Sequence, residues 1–103
     1  MPKGVFIVHS NPVDPSRDDE FNQWYDNVHV PDVKKVPGIV GARRFKTLTT
    51  DAAHRYVAIY EVDADDVQGV MDAIGKASAN GALPLSDALQ MNPPPGMTLC
   101  EEI

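Results

Sequence analysis

Four consecutive apolar residues near the start, Val5-Phe6-Ile7-Val8, constrain the fold more than any other feature of this chain. Successive side chains of a strand point to opposite faces, so a run that is apolar at every position asks for cover on both. Residues 3–9 are therefore expected to form a strand buried on both sides. Further along, 39–49 and 54–62 read as two more strands, joined through 50–53 as a hairpin, and 97–103 as a last one. Between the first and second strands, Phe21, Trp24, Tyr25 and Val28 recur at helical spacing. After the third strand Val67, Val70, Met71 and Ile74 do the same, from a cap at Asp63 to a stop at Asn80-Gly81. A short extra helix is expected over 83–91.

The order β-α-β-β-α-β is that of the ferredoxin-like α+β fold, an antiparallel four-stranded sheet with both helices on one face. At 103 residues the chain is expected to be a single domain spanning 1–103. Helices on one side leave the second face of the first strand bare, and a second copy of the same sheet is its simplest cover. A homodimer is the expected assembly.

The first helix carries a built-in interruption. Ser16 is a candidate N-cap, with Asp18, Asp19 and Glu20 favouring the positive end of the helix dipole. Pro31 has no N–H and would clash with the carbonyl of Asn27. The helix is expected to break there, leaving His29 in its last turn. Pro31 would open a new turn that Val33 and Val36 continue as far as Pro37-Gly38.

Composition closes off several functions. A formal net charge of −6 and scattered basic residues argue against nucleic acid. No run of 18 apolar residues would span a membrane, and the apolar run at the N-terminus is too short for a signal peptide. One cysteine, Cys100, allows no internal disulfide, so a cytoplasmic location is expected. The chain has no G-x-G-x-x-G, P-loop, C-x-x-C or H-x-x-x-H, so neither a cofactor nor a metal is expected.

What remains is the segment around His29. Tyr25 and His29 stand four apart and share a helical face. An imidazole that titrates near 6.5, beside a phenol, suits proton transfer in an apolar pocket. The same residues would also make a plain core helix, with His29 bonding a carbonyl freed by Pro31. Asp32 would either orient the imidazole or serve as a first-turn acid of the restarted helix. Trp24 and Phe21 would form an apolar wall. His9 shares a face with Val5 and Ile7 and reaches the pocket if that face lies under the helices. His54 is expected to be exposed. Arg43-Arg44 put one guanidinium on each face of the second strand, one solvated and the other paired with a carboxylate or a ligand. Arg43 is the expected ligand contact, although spacing leaves the choice between the two open. Tyr56 and Tyr60 share a sheet face, lining either the pocket or a dimer interface.

The stretch Phe21-Asn22-Gln23-Trp24-Tyr25-Asp26-Asn27-Val28-His29-Val30-Pro31-Asp32-Val33, then Val36-Pro37-Gly38-Ile39 and Ala42-Arg43-Arg44-Phe45, resembles the EthD-like members of the dimeric α+β-barrel superfamily. The likeness covers the first half at motif level and the whole chain in element order. It implies two sheets closing into a barrel across a dimer, with His29 at a pocket between helix and sheet. Such families include cofactor-independent lyases, cyclases and isomerases, cofactor-free monooxygenases, and proteins of no known activity. Haem, bound by related dimeric folds, would use His29 by analogy alone. The expected function is a cofactor-independent lyase, dehydratase, cyclase or isomerase step on a small apolar carbonyl or phenolic molecule. His29 would be the acid/base, Tyr25 an oxygen-stabilising donor, and Trp24, Phe21, His9, Arg43 and Tyr60 the substrate contacts. The alternatives are a non-catalytic ligand-binding or accessory protein and a cofactor-free monooxygenase.

Overall fold

Antiparallel pairing of the first strand to both of its neighbours organises the molecule. In the computed structural model, which describes residues 3–103, β1 (Lys3–Ser10) pairs with β3 (Tyr56–Asp63) on one side and β4 (Gly96–Glu101) on the other. β3 also pairs with β2 (Ile39–Lys46), and the strand order is β2-β3-β1-β4. This is the ferredoxin-like α+β arrangement, with the helices on one face of the sheet.

Alternation decides which residues go under the helices. Phe6, Val8 and Ser10 of β1 and Tyr56, Ala58, Tyr60 and Val62 of β3 are buried. They form one core with Phe21, Tyr25, Val33 and Val36, apart from Ser10, the one buried polar residue among the described residues. Val5, Ile7 and His9 lie on the other face, only half-buried. The covered set is therefore the even-numbered one.

The first helix does not break at Pro31. A 3₁₀ turn over Pro15–Arg17, capped by Asp14 rather than Ser16 through a 2.8 Å bond from the Ser16 N–H, leads into α1 (Asp18–Trp24). A π-helical turn, Tyr25–His29, follows, and α2 (Val30–Lys34) continues from it with helical dihedrals throughout. The N–H of Val30 donates to the carbonyl of Tyr25, five residues back. In a π turn the residue four beyond a carbonyl need not supply its donor, so Pro31 is accommodated without ending the helix. The wider turn also shifts the phase. Val28, expected in the apolar stripe, is 40% exposed, and the inward positions run Phe21, Tyr25, His29, Val33. An unbroken α-helix would have turned Val28 inward and His29 to the flank, at about 100° per residue.

Gly38, at φ +95°, turns the chain from α2 into β2, a conformation that favours glycine, and a side chain there would strike Val70. α3 (Gly69–Ala79) begins later than an Asp63 cap would allow and ends at Asn80, followed by Gly81 at φ +78°. β2 stops at Lys46 and β3 begins at Tyr56, so the two strands pair antiparallel as a hairpin, with a connection longer than 50–53. The expected helix over 83–91 does not form. That segment instead lies against the loop after β1, with the Val13 N–H donating to the Ala88 carbonyl at 2.6 Å and the Gln90 N–H to Asn11 at 3.0 Å. Bonds across to a neighbouring segment replace the ladder a helix would need. Among the described residues, no helix is long and apolar enough to cross a membrane.

Candidate functional site

The π turn, α3 and the helix-covered face of the sheet enclose a cavity of about 390 Å³. Tyr25 and His29 reach it from the π turn, Ser10 and Tyr60 from the sheet. Met71, Ile74 and Ser78 of α3 form one wall, and the segment 83–95 flanks the outside with the buried Leu83 and Leu89 and the exposed Leu85 and Met91. The lining is apolar except for Ser78 and for the end where the π turn meets the sheet.

That end is unusual for its unmet polar groups. Ser10 Oγ, the Tyr60 hydroxyl and His29 Nδ1 are buried and have no hydrogen-bond partner. Buried polar groups are seldom left so, and each exception calls for a reason. Tyr25, 2% exposed, stands among them, its ring edge-on to the imidazole with centroids 5.0 Å apart. Its hydroxyl lies near enough to Tyr60 and Ser10 to be influenced by both, although neither closes a well-formed bond to it.

The π turn also sets His29 against Trp24, their rings stacked 4.7 Å apart. Residues five apart on an α-helix point about 140° away from each other, so this contact depends on the wider turn. Behind the Tyr25 ring, at 4.2 Å from its centroid, lies the Arg44 guanidinium. It donates to Asp26 Oδ1 and to Asn22 Oδ1, both at 2.9 Å.

Burial dominates the protonation of the site. It pulls His29 down to about 4; the Asp32 carboxylate opposes this and the Arg44 cation adds to it. The imidazole is therefore neutral at pH 7, not poised near 6.5 as its sequence context suggests. Burial also raises the Tyr25 phenol, with the Tyr60 hydroxyl, the Arg44 charge and Ser10 pulling it partly back. Tyr60 is raised far beyond the ordinary phenol range, by burial first and by Tyr25 beside it.

The site residues expected from sequence divide between this cavity and other places. Tyr25, His29 and Tyr60 line it. Phe21 is completely buried in the core beneath, in ring contact with Tyr25, Trp24 and Tyr56. Trp24 backs the imidazole and does not line the cavity. Asp32 makes no hydrogen bond to His29 and instead lies 3.8 Å from Lys35, as a first-turn acid of α2. His9 does not reach the cavity, because its strand face is the bare one; it sits 5.8 Å from His54, which is half-buried rather than exposed. Arg43 also points to the bare face, opposite Ile59, while Arg44 is the one that meets the aromatic cluster. Ser10 escaped the sequence reading, although its alternation with Phe6 and Val8 marks it once the covered face is known. Another depression, about 430 Å³, lies at the far end of the strands by Val5, Val40, Glu61 and Cys100, and brings together no imidazole, phenol or hydroxyl.

The sequence profile of a family described as a domain of unknown function, DUF4286, matches residues 5–74. The chain belongs to this family. The matched span takes in β1 from Val5 onward, the whole first helix, β2 and β3, and so carries Ser10, Tyr25, His29 and Tyr60. No curated protein matches the sequence. Among solved structures, an EthD (ethyl tert-butyl ether D) family protein from Bacillus halodurans C-125 is similar over 100% of both chains, with 19% identity and a TM-score of 0.64. A dimeric ferredoxin-like protein from an uncultured marine organism is similar over 100% of this chain and 97% of that one, at 14% identity and TM-score 0.65. A candidate monooxygenase from Shewanella loihica PV-4 covers 96% and 93%, at 15% identity and TM-score 0.61. These likenesses show that the DUF4286 chain shares the ferredoxin-like fold of an EthD family protein and of a dimeric ferredoxin-like protein.

Proposed function

We propose that this protein is a cofactor-independent enzyme of the lyase, dehydratase, cyclase or isomerase kind. It would move a proton on a small, mostly apolar carbonyl or phenolic molecule held in the 390 Å³ cavity. The observation that carries this reading is the unpartnered Nδ1 of a neutral imidazole on a cavity shared with the Tyr60 and Ser10 hydroxyls, which also lack partners, and with the Tyr25 phenol. His29 takes a proton from a carbon next to the substrate carbonyl. Tyr25 and Tyr60 donate hydrogen bonds to the oxygen as negative charge develops on it. Imidazolium and oxyanion then arise together, so the cavity gains no net charge, which suits its apolar walls. Asp32 is left out of the mechanism, because it does not hold the imidazole.

The second reading, ligand binding without turnover, is favoured by one observation. Burial that lowers His29 to about 4 also weakens it as a base. The two readings separate on α-tetralone, a neutral bicyclic ketone with exchangeable protons next to its carbonyl. Enzyme-catalysed exchange of those protons in D₂O, followed by NMR and lost in His29→Ala, supports catalysis. Exchange no faster than buffer, in the presence of demonstrated binding, supports the accessory role.

The protein acts as a homodimer in this reading, and a reducing, cytoplasmic location suits its exposed free thiol at Cys100. The half-buried Val5, Ile7, Val57 and Ile59 on the bare sheet face favour the dimer, as does the dimeric neighbour of the same fold. Two such faces packed together would close the barrel. Sedimentation at micromolar concentration should return twice the monomer mass, and Ile59→Asp should return the monomer. A wild-type monomer would remove the dimer from this account.

A further inference from the structure

The cavity's polar end is specific in a way that the proton-transfer reading does not require. No Lys, Arg, Asp or Glu lines the cavity. The charged groups nearest to it are already engaged elsewhere. Arg44 lies behind the Tyr25 ring with its guanidinium bonded to Asp26 and Asn22, and Asp32 faces Lys35. A ligand bearing a full charge would lose its hydration and find no charged side chain in the lining, since the Arg44 cation lies behind the Tyr25 ring and is shared with the Asp26 carboxylate. The three orphaned atoms set the other requirement. Ser10 Oγ and the Tyr60 hydroxyl belong to residues 1% and 0% exposed, and His29 Nδ1 is a buried, unpartnered atom of a residue that lines the same cavity. All three surround Tyr25. A lone carbonyl oxygen can satisfy the two hydroxyl donors but leaves the imidazole nitrogen unmet. A ligand with a carbonyl and a neighbouring hydroxyl satisfies all three.

We propose that the cavity selects an uncharged ring compound that carries an acyl group and a hydroxyl on adjacent ring carbons, and that it rejects the corresponding carboxylates. The apolar body of such a ligand lies against Met71, Ile74, Leu83, Leu85 and Leu89. The inference rests on the proposed use of this cavity, but it concerns which ligand enters rather than what happens to it.

Three probes with one ring system test it: 2-acetyl-1-naphthol, 1-hydroxy-2-naphthoate and naphthalene. Trp24, the only tryptophan, stacks on His29 and reports binding by its emission. The acetylnaphthol should bind at least 10-fold more tightly than the naphthoate, because the carboxylate is buried without a partner. It should also exceed naphthalene by roughly 10–100-fold, because naphthalene leaves the polar atoms unpaired. Ser10→Ala and Tyr60→Phe should each weaken the acetylnaphthol by about 3–10-fold and leave naphthalene unchanged. Because an orphaned hydroxyl is removed, Tyr60→Phe should not lower the Tm of the free protein. The proposal is overturned by equal or tighter binding of the naphthoate, by naphthalene binding as well as the acetylnaphthol, or by no binding of the acetylnaphthol up to its solubility limit. Loss of His29-dependent exchange with the preference intact would refute only the proton-transfer reading. A reversed preference with exchange intact would refute only the ligand class.

Discussion

The two faces of this sheet are made of similar residues and have opposite chemistry. On the covered face, Phe6, Val8, Ser10, Ala58 and Tyr60 are buried, and two of the hydroxyls there have no partner. On the bare face, Val5, Ile7, Val57 and Ile59 are half-buried, with Arg43 and Phe45 exposed beside them. Each face holds a histidine. His29 leans over the covered face from the π turn, stripped of water and neutral. His9 sits on the bare face against His54. Apolarity alone does not distinguish the faces. What does is that one of them buries polar groups without satisfying them.

The largest expected contrast is between the two histidines. If the covered face holds the chemistry, His29→Ala should slow α-proton exchange of α-tetralone by roughly 10²–10⁴-fold. His9→Ala should leave that rate unchanged. Comparable losses from both would erase the distinction between the faces. For the wild type, kcat/KM should fall as pH drops through about 4, where His29 takes a proton, rather than near 6.5.

Stability should divide the faces next. Phe6 is 3% exposed and Phe45 43% exposed. Phe6→Ala should cost about 3–5 kcal/mol, read by denaturant unfolding, and Phe45→Ala a fraction of that. A large loss at Phe45 would show that the bare face is itself a core, closed by the partner copy.

Acid should act on the covered face through His29. The folded pKa of His29 is lowered, so between pH 6.5 and about 4 the unfolded chain takes up a proton that the folded protein refuses. Stability from this residue is full above 6.5 and falls as the pH drops to about 4, by roughly 2–3 kcal/mol. His29→Gln should flatten that part of the profile. A mutant curve parallel to the wild type would mean that the imidazole is not held neutral.

The smallest contrast is between the two arginines. Arg44→Met should lower stability by about 1–2 kcal/mol, because it removes two hydrogen bonds and the charge over Tyr25. It should also raise the His29 pKa towards the ordinary value, since Arg44 helps to depress it. Arg43→Met should change stability by less than about 0.5 kcal/mol. An unmoved His29 titration in Arg44→Met would separate the guanidinium from the imidazole.

By itself, the sequence determined the element order, the antiparallel sheet and the Tyr25–His29 pairing. These follow from short-range periodicity and from residues such as Gly38 and Pro31 whose backbone limits are intrinsic. Tertiary structure decided three things that spacing leaves open. A run apolar at every position cannot show which of its faces the helices take, so Ser10 stayed hidden and His9 and Arg43 were placed with the pocket. Pro31 announces a disturbance but not its form. The chain absorbs it in a π turn that moves His29 inward in place of Val28 and stacks it on Trp24. Finally, the protonation of His29 depends on how much water the segment 83–95, Tyr25 and Trp24 exclude together. Desolvation is a property of all the neighbours at once, and no single stretch of sequence contains it.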